Sequence, residues 1–177
     1  SRFREVIYLD ADNIPLINVA RLFNTPEYKD TGALFWPDRG RLNKKHEIFD
    51  LVGVDWIKGE PEWESGQMVI DKGRHWQALM FAWWMNEFSD FFYRKFHGDK
   101  ETFHYAWRKM ESKYVLHPPL KDLTGWDCIC QHDMQGNRIF QHRNGRKYHI
   151  NKRNNDIKGF VNHDEYVDML EDYKMKV

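Results

Sequence analysis

Cysteine is scarce in this chain: two in 177 residues, too few for a disulfide framework to hold the fold. Both lie in one short run, Cys128-Ile129-Cys130-Gln131-His132. Such a C-x-C-x-H triplet offers zinc three ligands, whereas a structural zinc site normally takes four, in two clusters, so the cysteines read first as two small buried residues. Long apolar stretches are missing as well. No run of about 18 apolar residues occurs, and no secretory leader pattern opens the chain, so nothing here reads as a membrane span. Charge of one sign is not in excess: 27 Lys and Arg face 27 Asp and Glu, which argues against a nucleic-acid binder held by net charge. The basic stretches Arg143 to Lys147 and Lys152-Arg153 read as solvated loop charge. No internal repeat or low-complexity tract appears. The chain opens on Ser1 and enters a strand almost at once; the expectation is the interior of a longer protein, whose upstream part can carry a targeting or anchor segment.

What is present is a large apolar complement, 41% hydrophobic and 16% aromatic residues, enough for one domain, residues 1–177, with a real core. Residues 4–9 read as a buried strand. Asn18 to Phe23 reads as a short helical turn closed by Asn24-Thr25-Pro26, and Thr31 to Trp36 as a second strand stopped by Pro37. Asn43 is placed to cap a helix reaching about Val52, with Glu47 near its first turn. Residues 55–65 look like loop, and Gly66 to Asp71 a short strand. Trp76, Leu79, Met80, Trp83, Trp84, Phe88, Phe91 and Phe92 recur at helical spacing, and 76–85 is apolar nearly all round, which predicts a buried helix. His97-Gly98-Asp99 breaks it, and Asp99 is placed to cap the next helix. A strand at Tyr114 to Leu116 is ended by Pro118-Pro119, and Trp126–Gln131 with Arg138–His142 reads as a hairpin around Asp133–Asn137. After an irregular stretch, 143–160, Asn162 is placed to cap a last amphipathic helix. The alternation of strands and helices predicts a mixed α/β architecture.

The stretch that carries chemistry stands first: Val6-Ile7-Tyr8-Leu9-Asp10-Ala11-Asp12-Asn13. A hydrophobic strand runs into two aspartates one residue apart. In extended chain, residues i and i+2 face the same way, so Asp10 and Asp12 can converge beyond the strand end, where open α/β sheets place their ligands. Two hard carboxylates there suit Mg²⁺ or Mn²⁺, with positions left for phosphate oxygens. The bland alternative is a solvated turn.

Three later elements have the donors and acceptors that a sugar-nucleotide site needs. In Glu64-Ser65-Gly66-Gln67, Gly66 allows close backbone approach while Glu64 and Gln67 suit sugar hydroxyls. Gly98-Asp99-Lys100-Glu101-Thr102 puts a carboxylate beside a glycine turn. On the hairpin, His142 is preferred to His132 as a third ligand for the metal. Two rival classes stay open. A haloacid-dehalogenase-type phosphatase also carries D-x-D after a strand, with the first Asp as nucleophile, but Asn13 stands where Thr or Val is usual there. A non-catalytic carbohydrate-binding module would use the eight tryptophans for stacking, although their helical spacing points to core.

Taken in order, Tyr8–Pro15, Phe23–Tyr28, Thr31–Asp38, Glu64–Gln67, Gly98–Phe103 and the late Gln131-His132-Asp133, Gly136, Phe140, His142 pattern resemble the α-mannosyltransferases that build branches and caps on fungal-type mannans. The resemblance covers most of residues 4–148. It implies a GT-A-like fold, a Rossmann-like nucleotide-diphospho-sugar transferase with a mixed sheet flanked by helices. It implies a GDP-mannose donor, Mn²⁺ (or Mg²⁺), and retaining transfer to a mannoside or glycan acceptor. Asp10 and Asp12 would then hold the metal and the donor diphosphate, with His142 as a further metal ligand; Gly66 and Gln67 would contact the donor, and Glu64 and Asp99 would act as catalytic carboxylates. A Golgi-lumenal setting follows if the parent is a eukaryotic type II membrane protein. A GT-A domain normally sets a nucleotide-binding βαβ region ahead of its D-x-D; with nine residues there, this chain is expected to be the C-terminal portion of such a catalytic domain.

Overall fold

The computed structural model describes residues 1–96, 98–118, 122 and 126–176. His97 and Pro119, named above as breakers, lie outside the described residues. Strands are β1 (Glu5–Leu9), β2 (Asn13–Pro15), β3 (Ala33–Arg41), β4 (Pro61–Asp71), β5 (Val115–Leu116), β6 (Ile129–His132) and β7 (Arg138–His142). Helices are α1 (Pro26–Thr31), α2 (Ile48–Val52), α3 (Trp76–Glu87), α4 (Ser89–Phe92), α5 (Lys100–Lys109) and α6 (His163–Lys174). The result is the mixed α/β chain that the element order predicts. It divides into two compact units, residues 1–9 with 18–119, and residues 10–17 with 120–177.

The first unit is built on a four-stranded sheet in the order β1-β4-β3-β5. β4 is its spine, antiparallel to β1 from Glu5↔Asp71 to Leu9↔Gln67 and to β3 from Ala33↔Ile70 to Arg41↔Pro61. Residues 61–65 are therefore strand, not the loop expected, and Trp63 is why. It stacks on Phe35 at 4.3 Å and on His104 at 4.3 Å, so a stretch that is locally polar is held extended by an aromatic anchor in the core. Glu64-Ser65-Gly66-Gln67 thus lies within β4 at a bulge: Leu34 pairs with Val69 but Trp36 pairs with Glu64. Nor does Pro37 stop β3, which runs on to Arg41. β5 reaches only Leu34 and Phe35, so Pro37 lies beyond the doubly paired stretch, where a missing N–H is tolerated. β1 is half-buried rather than buried, since among the described residues it pairs only with β4.

Helix α1, unforeseen as a helix, has Thr25 as its cap, accepting from the Tyr28 N–H, Pro26 in its first turn and Gly32 in the left-handed region at its end. Asn43 instead accepts from the Lys45 N–H in a turn, and α2 is only five residues long. The largest difference concerns α3. Its inward stripe is Ala78, Ala82 and Met85, and it packs on α5; Trp76, Trp83 and Trp84 are exposed. Small residues let two helices approach closely, which turns the bulky ones outward. The tryptophans of the core are Trp36, Trp63 and Trp107 instead.

The second unit centres on a three-stranded antiparallel sheet, β2-β7-β6. The predicted hairpin is β6–β7, with Asp133 accepting from the N–H groups of Gln135 and Asn137 in its turn. Cys128 and Cys130 are buried and form no disulfide; they pack with Ile157 and Phe160. Asn162 precedes α6, but in the left-handed region and with no capping bond from its side chain.

Candidate metal centre

β1 leaves the first unit at Leu9, and the chain enters the second at Asp10. Asp10 and Asp12 converge as expected, though by a different device. Residues 10–13 are a turn closed by the Asn13 N–H on the Asp10 carbonyl at 3.0 Å, rather than extended chain. β2 follows at once and pairs Asn13 with His142 on β7, while the Arg143 N–H donates to the Asp12 carbonyl at 2.9 Å. Strand pairing thus delivers a histidine from far along the sequence to the aspartate turn. His142 Nε2 lies 3.1 Å from Asp12 Oδ1 and 3.8 Å from Asp10 Oδ2. One ligand atom from each of the three lies within 4.8 Å of the others, the only such cluster of three or more His, Cys, Asp or Glu found among the described residues. His132 goes elsewhere, with Nε2 at 3.8 Å from Asp122 Oδ2, and the Cys128-Cys130-His132 triplet makes no comparable cluster.

The set fits a hard or borderline divalent ion: two carboxylates and one imidazole. It already draws a cation, because the Lys147 ammonium pairs with Asp12 Oδ2. Burial acts to raise the Asp12 carboxyl, but the Lys147 hydrogen bond and the His142 and Lys147 charges outweigh it, so Asp12 titrates below the ordinary carboxylate range. Asp10, Ala11, Asp12, Lys147 and Tyr148 line an open cleft of about 440 Å³. Lys147 closes the stretch Arg143 to Lys147 that the sequence reads as solvated loop charge; its ion pair with Asp12 and its place in the cleft correct that reading. The signal that could have found it is its place a few residues past His142, on the loop leaving the same strand.

The other candidate residues belong to the first unit. Glu64 and Gln67 are buried in β4, and Glu64 Oε1 accepts from the Gly66 N–H at 2.9 Å. Asp99 heads α5 but makes no capping bond with its side chain. Exposed, it lines a groove with Leu79, Ala82, Trp83, Asn86 and Phe103. The exposed tryptophans of α3 remove helical spacing as an argument against sugar stacking there.

Comparison with known proteins bears on what this cluster serves. The chain is 28% identical to the alpha-1,2-mannosyltransferase MNN24 of Candida albicans over 64% of this chain and 22% of that protein. It is 26% identical to the alpha-1,2-mannosyltransferase MNN5 of Saccharomyces cerevisiae over 58% of this chain and 27% of the relative. With MNN2 of Candida albicans, an alpha-1,2-mannosyltransferase, the figures are 25%, 58% and 25%. The chain therefore spans about a quarter of the length of these relatives. A family profile reaches further into the chain, matching residues 1–55 and 57–126; it takes in Asp10, Asp12, Glu64, Gln67 and Asp99 and stops before His142. With the aspartate turn inside a match that takes in most of the sequence, the chain belongs to the Mannosyl_trans3 family of mannosyltransferases.

Proposed function

We propose that this chain carries the metal- and donor-binding part of a metal-dependent α-mannosyltransferase of GT-A type, moving mannose from GDP-mannose to a mannoside or glycan acceptor with retention. The observation that carries it is the convergence of Asp10, Asp12 and His142 beside the cleft, in a chain whose relatives are named alpha-1,2-mannosyltransferases. Those names make an α-1,2 linkage the first to test. They do not favour a phosphatase or a binding module. The mixed sheet, with a strand running into the D-x-D, supports the GT-A reading, and we take the chain as the C-terminal portion of one catalytic domain. For a parent that is a eukaryotic type II membrane protein, a Golgi-lumenal setting belongs to the same proposal.

Asp10, Asp12 and His142 would hold Mn²⁺ (or Mg²⁺), which when bound supplies Lewis-acid stabilisation of a departing diphosphate. His142 would bind through Nε2, the ring nitrogen that faces the two carboxylates. Asp99 and Glu64 are the proposed catalytic carboxylates, stabilising positive charge on the sugar ring or orienting the acceptor hydroxyl. Gly66 and Gln67 are the proposed donor contacts. The test, in the full-length parent protein, is mannose transfer with GDP-mannose and Mn²⁺, alongside calorimetric titration of GDP and UDP, each with Mn²⁺. Asp10→Ala and Asp12→Ala should each abolish metal-dependent donor binding and transfer. Transfer retained in either variant rejects the metal assignment, and tighter binding of UDP than GDP rejects the donor.

A further inference from the structure

Lys147 has two relationships that a solvated loop lysine lacks. Its ammonium pairs with Oδ2 of Asp12, a proposed metal ligand, and it faces the cleft beside Asp10 and Asp12. The loop that carries it is pinned at several points. The Arg143 N–H is bound to the Asp12 carbonyl at 2.9 Å, and the Gly145 N–H to the Asp127 carbonyl at 3.1 Å. A Cβ at position 145 would stand 2.9 Å from Asp127 Cα, so the close approach there requires glycine. Arg143, 1% exposed, lies 4.0 Å from the Tyr148 ring and 5.0 Å from that of Phe160 and donates to the carbonyls of Arg146 and Asn155. The backbone beneath Lys147 is therefore fixed, while its own side chain, 58% exposed, keeps a flexible stem with a compact charge at the tip.

We propose that Lys147 and the divalent cation compete for Asp12, and that the donor diphosphate resolves the competition by accepting the Lys147 ammonium. The inference rests on the metal site proposed above. One carboxylate shared by an ammonium and a divalent ion binds each less well than it would bind either alone. Two carboxylates and a diphosphate also outweigh one divalent cation in charge, and Lys147 is the cationic side chain lining the cleft that reduces the deficit. A swing of its stem from carboxylate to phosphate exchanges one charge-assisted hydrogen bond for another, so metal and diphosphate favour each other's binding through this residue.

The experiment titrates Mn²⁺ alone, then inorganic pyrophosphate or GDP at saturating Mn²⁺, into the intact chain and its Lys147→Ala and Lys147→Arg variants. Lys147→Ala should bind Mn²⁺ alone roughly two- to fivefold more tightly, as expected for removing an exposed ion pair. Its affinity for pyrophosphate and for GDP should fall by roughly tenfold or more, the value of a charge-assisted bond. Lys147→Arg should recover most of the second loss. A loss with GDP but none with pyrophosphate would overturn recognition of the diphosphate itself. Opposite signs for metal and diphosphate are the signature, because a residue that merely supports the loop weakens both. Both affinities unchanged, or both reduced, in Lys147→Ala overturn the proposal. Asp10→Ala separates it from the reading beneath: Mn²⁺ binding unaffected by that change sinks the metal site itself, whereas binding lost there but indifferent to Lys147→Ala sinks only the Lys147 assignment.

Discussion

Glu101 shows how one side chain can couple the fold to pH. It is buried at the start of α5 beside Lys100, Nζ to Oε1 at 3.2 Å. Lys100 has closer partners in Asp38 at 2.6 Å and Glu62 at 2.5 Å. Burial therefore prevails over the Lys100 charge, and the Glu101 carboxyl is pushed up to about 7. A carboxyl raised on folding favours the folded state when protonated. That contribution is complete below its ordinary value of 4.5 and is lost as pH rises through about 7. The loss amounts to at most about 3 kcal/mol at pH 8. Glu101→Gln should accordingly be more stable than the parent chain at pH 8 and close to it at pH 4.5, a difference that urea denaturation at the two pH values measures. At the metal cluster, the residue types were legible in the sequence. Asp10 and Asp12 are separated in the chain by Ala11 alone, whereas His142 is brought to them by strand pairing.

Among the elements, α3 and β4 separate pattern from packing. The apolar periodicity of 76–85 announces a helix but not which face is inside, because bulky and small apolar residues occupy several faces at once. Substituting the inward stripe should therefore matter more than substituting the tryptophans. Ala82→Leu is expected to cost about 1–3 kcal/mol by overpacking against its neighbours, while Trp83→Ala, at a site 55% exposed, should change stability by less than about 0.5 kcal/mol; thermal denaturation of the two variants makes the comparison. In β4 the decisive residue is Trp63, held between Phe35 and His104. Trp63→Ala should cost about 3–5 kcal/mol. A much smaller loss of denaturant stability would mean that the strand does not depend on this anchor.

For the whole molecule, the division into two units makes metal binding a local event. Asp10, Asp12, His142 and Lys147 all belong to the second unit. Hydrogen exchange followed with and without Mn²⁺ should show new protection at residues 10–17 and 138–148, and little in the sheet of the first unit. With Mn²⁺ and GDP each near a hundred times its dissociation constant, the site should gain about 2.7 kcal/mol per ligand, read as a raised Tm that EDTA reverses and Asp12→Ala abolishes. Protection spread evenly over both sheets would argue that metal acts on the fold in general rather than on this cluster.

What the sequence by itself determined is local. A hydrophobic run ending in D-x-D, a late hairpin carrying His142 and the alternation of strands and helices are properties of neighbouring residues, and the mannosyltransferase family was legible in their order. Tertiary structure alone decided which partner each group meets. The pairing of β2 with β7 set His142 against the aspartate turn, a pinned loop brought Lys147 to Asp12, and Trp63 drew an apparent loop into the central strand. The physical reason is common to all three: these contacts join residues distant in the chain, and their energies depend on packing and pairing that no short stretch of sequence contains.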